Sequence, residues 1–135
     1  MKKINEIREH LIEYGKKINA PQELLKVFIE PQPDGTPYIT ITSNEYYYTI
    51  EERGAIFQIR KTKDIDLLLY WLISDIVFKM STEYDSDHIV KNQDSRRSMF
   101  EKELNLLRKI KKEWYEKRKQ EMEKTLINAP YRDNN

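Results

Sequence analysis

The chain has no cysteine and only three glycines in 135 residues. Without cysteine it can form no disulfide, thiolate nucleophile or cysteine-ligated zinc, which fits a reducing compartment. The glycines, Gly15, Gly35 and Gly54, are too scattered to build a loop that cradles phosphates. Neither sign of charge dominates: 24 Lys and Arg stand against 23 Asp and Glu, a formal net charge of +1. A protein that neutralises many phosphates carries a basic surplus, so nucleic acid is disfavoured as the main partner. Long apolar runs are also missing. The most apolar stretch, LLLYWLI at residues 67–73, is bracketed by Asp66 and Asp75, and a membrane span needs about 20 such residues. The opening MKKINEIREH carries a basic pair with no apolar run behind it, so no secretory signal is expected.

With 39% hydrophobic and 35% charged residues, the sequence is polar but able to build a core. One domain over residues 1–130 is expected, with 131–135 as a frayed tail. Ile4, Ile7, Leu11, Tyr14 and Ile18 recur at helical spacing and predict an amphipathic first helix. Asn19-Ala20-Pro21 ends it, because the residue before proline avoids helical geometry. Leu24, Leu25 and Phe28 suggest a short helical turn, and residues 31–37 read as a turn-rich connector.

Next come segments rich in β-branched and aromatic residues: YITIT from Tyr38, YYYTI from Tyr46 and AIFQIR from Ala55. Ser43-Asn44-Glu45 makes the first turn, and Gly54 supplies a positive φ in the second. This is a three-stranded antiparallel meander. Strict alternation puts Ile39, Ile41, Tyr46, Tyr48, Ile50, Phe57 and Ile59 on the face toward the core. It leaves Tyr38, Thr40, Tyr47, Thr49, Glu51, Gln58 and Arg60 on the other.

From Asp64, a candidate N-cap, the chain turns helical and is apolar nearly all round, with a narrow polar strip of Asp64, Asp75, Lys79 and Glu83. Phe100, Leu104, Leu107, Ile110, Trp114 and Leu126 predict a further long helical region, from about residue 87 to 128, with a bend possible at Lys111-Lys112. The expected architecture is α+β: an N-terminal helix, the meander, then a C-terminal bundle of about three helices.

Residues 84–97, YDSDHIVKNQDSRR, hold the densest polar cluster. Asp85, Asp87, His88 and Asp94 are the only candidates for a metal-dependent phosphoesterase. The run lacks the glycine and closing glutamate of a calcium loop, and the one other histidine is the distant His10. No metal and no cofactor are expected. A helix from Ile89 onward would carry Gln93 and Arg96 on the stripe of Phe100, Leu104 and Leu107, with Asp94 one turn from Arg97. Asp94, Arg96 and Arg97 then form a structural polar network at a helix junction. The serines sit in no glycine-flanked elbow, and no catalytic residue is assigned. Arg108, Lys109, Lys111, Lys112, Lys117, Arg118 and Lys119 surround Trp114 and Tyr115, which could serve a nucleic-acid adaptor. The interleaved Glu113, Glu116 and Glu121 favour a solvated helix face over a buried tryptophan. The tyrosine-bearing sheet face is the better contact surface, since tyrosine is enriched at interfaces. Tyr38, Tyr47, Glu51, Asp75, Asp85 and Asp87 are the candidate partner-binding residues, in a monomer or weak dimer.

Three ordered stretches carry more specific information: EERGAIFQIRKTKDIDLLLYWLISDIVFKMSTEY, IVKNQDSRRSMFEKELNLL and KKEWYEKRKQEMEK. Together they resemble the immunity protein 63 family of bacterial polymorphic-toxin systems, from about Pro37 to Tyr131. Arg53-Gly54, Asp64, Asp66, Leu69-Tyr70-Trp71, Asp94, Arg96-Arg97, Phe100 and Trp114 carry the likeness. The chain departs from the pattern at Leu67, where an acid is expected, and at Asp85, which stands in for a glutamate-like residue. The resemblance implies a cytoplasmic antidote without chemistry of its own. It would bind the carboxy-terminal domain of a cognate toxin and occlude it.

Overall fold

The Ile4, Ile7 and Leu11 stripe winds into α1, Ile4–Lys17, in the structure, a computed structural model that describes residues 1–134. Ile7 and Leu11 are fully buried. The helix stops at Asn19, whose φ of 52° is the left-handed cap that asparagine tolerates. A 3-10 turn, Gln22–Leu25, follows. It can approach α1 because of Gly15, where an added Cβ would lie 2.5 Å from the Leu25 side chain. After it come β1 (Tyr38–Ile41), β2 (Tyr46–Glu52), β3 (Ala55–Thr62), α2 (Ile65–Asp87), α3 (Ser95–Ile110) and α4 (Lys112–Asn128). The order and type of these elements are those expected. The chain divides into two compact units. The first comprises Met1–Lys16 and Pro21–Ile73; the second comprises Lys17–Ala20 and the residues from Ser74 onward. α2 contributes its first turns to one unit and the remainder to the other.

In the first unit the sheet is antiparallel, in the order β1-β2-β3. The outer edge of β1 is closed: Ile39 N–H donates to Phe28 C=O at 2.8 Å, and Phe28 bridges Tyr38. Arg53 and Gly54, with φ of 53° and 80°, form the two-residue loop between β2 and β3. Two successive positive φ values are what a tight hairpin requires. Glu52 pairs with Ala55 and Glu51 with Ile56, but Ile50 then pairs with Gln58, so a bulge skips Phe57. One extra residue reverses the faces of everything beyond it. The expected inward placement of Phe57 and Ile59 is therefore corrected: they are 68% and 54% exposed. Arg60, expected outward, pairs with the buried Tyr48 and lies 5.0 Å over its ring and 5.5 Å over Trp71. Ile39, Tyr46 and Tyr48 are buried as expected.

In the second unit, Ile76, Val77 and Ser81 of α2 are buried. Asp87 ends this helix, and residues 88–94 form a loop, which corrects the expected helix from Ile89. Ile89 and Val90 point into solvent, at 78% and 54% exposure. The last helical region is not continuous either. Lys111 alone is extended, with φ −149° and ψ 133°, so that α3 and α4 separate there and pack against each other. The basic residues from Arg108 to Lys119 thus belong to two helices rather than one face. Trp114 is buried. Tyr131, Arg132 and Asp133, within the stretch expected to fray, contact the start of α3, while Asn135 lies outside the described residues.

Two measurements check this fold. Ile39→Ala should cost about 2–4 kcal/mol in urea unfolding, whereas Ile59→Thr should change stability by less than about 0.5 kcal/mol. If strict alternation held in β3, the second substitution would cost as much as a core change. Because one unbroken helix serves both units, Trp71 in the first and Trp114 in the second should report the same thermal midpoint. Single-tryptophan variants followed by fluorescence test that; two separate midpoints would show independent unfolding.

Candidate partner-binding surface

Pairing across the sheet sets Tyr38 beside Thr49 and Ile59, and Thr40 beside Tyr47 and Lys61. These residues share the face away from Tyr48, together with Glu51. Of the expected partner-binding residues, Tyr38, Tyr47 and Glu51 are thus brought together on one face. The Tyr38 hydroxyl donates to Glu51 Oε1 at 3.0 Å. Desolvation, then the bond to this carboxylate, raises the phenol above its ordinary pKa. The face is not simply polar with tyrosines. Exposed Ile56 and Ile59 add to it, with the skipped Phe57 exposed beside them; strict alternation had assigned Phe57 and Ile59 to the core face. The missed signal was the set of large apolar residues in AIFQI: Ile56, Phe57 and Ile59 cannot all face inward from an alternating strand.

The acidic candidates of the second unit do not form one patch. Asp85 and Asp87 lie near the end of α2, roughly 160° apart at about 100° per residue. Asp85 is half-buried and accepts a short hydrogen bond from the Ser98 hydroxyl of α3. Asp87 is exposed, and Asp75 lies farther back on α2, half-buried. His88 stacks on Tyr84 with ring centroids 4.0 Å apart, and its Nδ1 is 2.8 Å from the Tyr84 carbonyl. Among the described residues no group of three or more His, Cys, Asp or Glu side chains could hold a metal ion.

Asp94, Arg96 and Arg97 do meet, in an arrangement richer than the expected one. Asp94 is the N-cap of α3: its carboxylate accepts from Arg96 N–H and the Arg96 guanidinium at 2.9 Å, and from Arg132 N–H at 2.8 Å. Arg96 also donates to the Ala129 and Pro130 carbonyls, both at 2.8 Å, just past the end of α4. An anion at one helix start and a cation at another helix end both complement the helix dipoles. The expected Asp94–Arg97 pair is corrected: Arg97 pairs with Asp133 at 2.9 Å, and Asp133 accepts from Asp94 N–H at 2.8 Å. Tyr131 lies beneath Arg97, 4.0 Å from ring centroid to guanidinium carbon. The side-chain bond from Arg96, then the N–H groups of Arg132 and Arg96, hold the Asp94 carboxyl well below the usual range. Arg97 chiefly does the same for Asp133.

One charged pair escaped the sequence reading. Glu103 of α3 is 2% exposed and faces Arg118 of α4, with Arg118 Nε 3.2 Å from Glu103 Oε1. Burial pushes this carboxyl up, and the Arg118 charge opposes that push. Two open hollows flank α3, of about 420 and 430 Å³. Tyr84, Ser98, Lys102 and Arg108 border one, and Phe100, Leu104, Met122 and Tyr131 border the other. Neither is lined by a histidine that could act as a base toward Ser98.

Asp94→Asn and Arg96→Ala should each lower the thermal midpoint, whereas Asp87→Ala should leave it unchanged. A carboxyl depressed in the folded state contributes fully above its unfolded value and loses its contribution as pH falls below it. Wild-type stability should therefore drop on acidification below the ordinary 3.8 of Asp94, and Asp94→Asn should flatten that drop. Arg118→Met, which strands the Glu103 charge, should cost roughly 2 kcal/mol by urea unfolding. That is below the range for fully buried pairs because Arg118 keeps 23% of its side-chain surface in water.

No helix among the described residues is long and apolar enough to cross a membrane. No curated protein and no solved structure shows significant similarity to the chain. The family model for immunity protein 63 matches residues 43–124. The match takes in β2, β3, α2, α3 and most of α4, including the bulged hairpin and the Asp94 cap. The chain belongs to the immunity protein 63 family.

Proposed function

We propose that this chain is the antidote of a bacterial polymorphic-toxin pair: it binds the carboxy-terminal domain of its cognate toxin in the cytoplasm and occludes it, catalysing nothing itself. The family match over residues 43–124 carries this reading. Physical features support it. Occlusion needs shape and charge complementarity rather than an excess of one charge, and the formal net charge is +1. Exposed Ile56, Phe57 and Ile59, beside half-buried Tyr38 and Tyr47, give the apolar and aromatic area that interfaces use. On this reading Tyr38, Tyr47 and Glu51 contact the toxin. Asp75, Asp85 and Asp87 add charge that distinguishes one toxin from another.

The test is a growth-rescue assay with the toxin domain encoded beside this gene, expressed with and without the chain. Rescue together with co-purification of the two proteins in stoichiometric amounts is expected. An active toxin that neither binds the soluble chain nor is neutralised by it would remove that toxin as the target. Tyr47→Arg should weaken the complex by about tenfold or more, while leaving the thermal midpoint of the free chain unchanged.

A further inference from the structure

β3 is the open edge of the sheet. β1 is closed by the Phe28 segment, whereas no strand among the described residues pairs with β3 on its far side. The strand is eight residues long, and residues 55–59 and 61 are all exposed. An edge strand turns alternate N–H and C=O groups outward, where they can pair with another extended chain. Natural edge strands are usually kept short, covered or charged. This one instead presents Ile56, Phe57 and Ile59 at 56%, 68% and 54% exposure.

Charge narrows the occupant. From Arg53 to Lys63 there are four cations, Arg53, Arg60, Lys61 and Lys63, and no carboxylate. Arg60 is held over Tyr48 and Trp71 on the opposite face. Among the described residues Arg53, Lys61 and Lys63 make no ion pair. A second copy of the chain is a poor fit. Antiparallel self-pairing about Gln58 would set Lys63 against the other copy's Arg53, and parallel in-register pairing would set every cation against itself. The lysines that discourage self-association select an acidic visitor.

We infer that β3 is a docking edge for an extended segment of the partner protein, which adds as a fourth strand and carries apolar side chains and a carboxylate at every second residue, on one face. The inference rests on the immunity reading and adds to it the mode of binding and the chemistry of the bound segment. Backbone pairing along β3 supplies attachment. Opposite Ile59 and Phe57 the segment places apolar side chains, and opposite Lys61 a carboxylate. Tyr38 and Tyr47 continue the same face inward across the sheet, so a partner lying on β3 also reaches them.

The experiment uses the full chain and the toxin domain encoded beside its gene. Amide hydrogen exchange is measured on the free chain and on the complex. Affinity is measured for Phe57→Asp, Lys61→Glu and a control, Ile127→Asp, at a site that is 78% exposed on α4. Far-UV circular dichroism checks that each variant keeps its fold. Strand docking predicts slowed exchange at alternate amides of residues 55–62 in the complex. It also predicts a loss of about tenfold or more in affinity for the two β3 variants, and none for the control. A wild-type complex that rescues growth but leaves the β3 amides exchanging as in the free chain would overturn the docking edge and leave the immunity reading standing. Concentration-dependent protection of β3 in the chain alone, with a dimer mass, would overturn it in favour of self-pairing. No wild-type complex and no rescue would overturn both readings for that toxin.

Discussion

The pairing of β2 with β3 decides what this molecule shows to its surroundings. A two-residue loop, Arg53-Gly54, with both residues at positive φ, starts the hairpin in register. A single skipped residue, Phe57, then shifts it. Side chains alternate along a strand, so a one-residue slip exchanges its two faces. Had Ile50 paired with Phe57, Ile59 would lie opposite Tyr48, and Phe57 and Ile59 would face the core while Ile56 stayed outward. With the bulge, Arg60 takes that place and its guanidinium is held by two aromatic rings, an attraction worth about 1 kcal/mol or more when partly desolvated. The exposed apolar edge is the other side of this exchange. Removing the bulge would make a more ordinary hairpin and erase the surface.

A second constraint operates around α3. Its N-terminus is closed by Asp94, while Arg96, one residue inside the helix, reaches the Ala129 and Pro130 carbonyls just past the end of α4. Asp133 closes the circuit by accepting from Asp94 N–H and from Arg97. Each carboxylate therefore receives a backbone and a side-chain donor, and both effects lower its pKa from the ordinary value. Local capping and long-range tethering are carried by the same groups. The stretch from His88 to Asn92 can be exposed without loosening the start of α3.

What was legible in the sequence follows from which signals are local. The α1 stripe, the glycine of the hairpin, the apolar α2 and the meander depend on neighbours within a few residues, and each reads directly. The Asp94 cluster was legible as a set of residues but not as a wiring diagram. Its partners Arg132 and Asp133 lie 38 and 39 residues away from Asp94, in a stretch that composition marks as a tail. Glu103 was not singled out because its partner Arg118 is 15 residues along, on the far side of a break. That break has no proline or glycine. Lys111 adopts an extended conformation open to any residue, and burial of Leu107, Ile110 and Trp114 on the packed faces of α3 and α4 outweighs helix continuity. The bulge was hidden for a related reason, since register is a property of two strands together.

On the proposed reading of the chain as an inhibitor that docks its partner along β3, these features bear on how it can be both secure and selective. Backbone pairing along an edge is nearly independent of sequence, so on its own it would accept many extended segments. Selectivity must come from side chains that flank the edge, and here those are of mixed character: an unpaired lysine, exposed aliphatic and aromatic groups, and tyrosines whose ring faces lie farther in. Only the side chains need change for a relative to meet a different partner. The hairpin loop and the α3 circuit can stay as they are, because neither is built from the exposed residues at 57, 59 and 61. A fold arranged this way separates the groups that hold it together from the groups that choose what it binds.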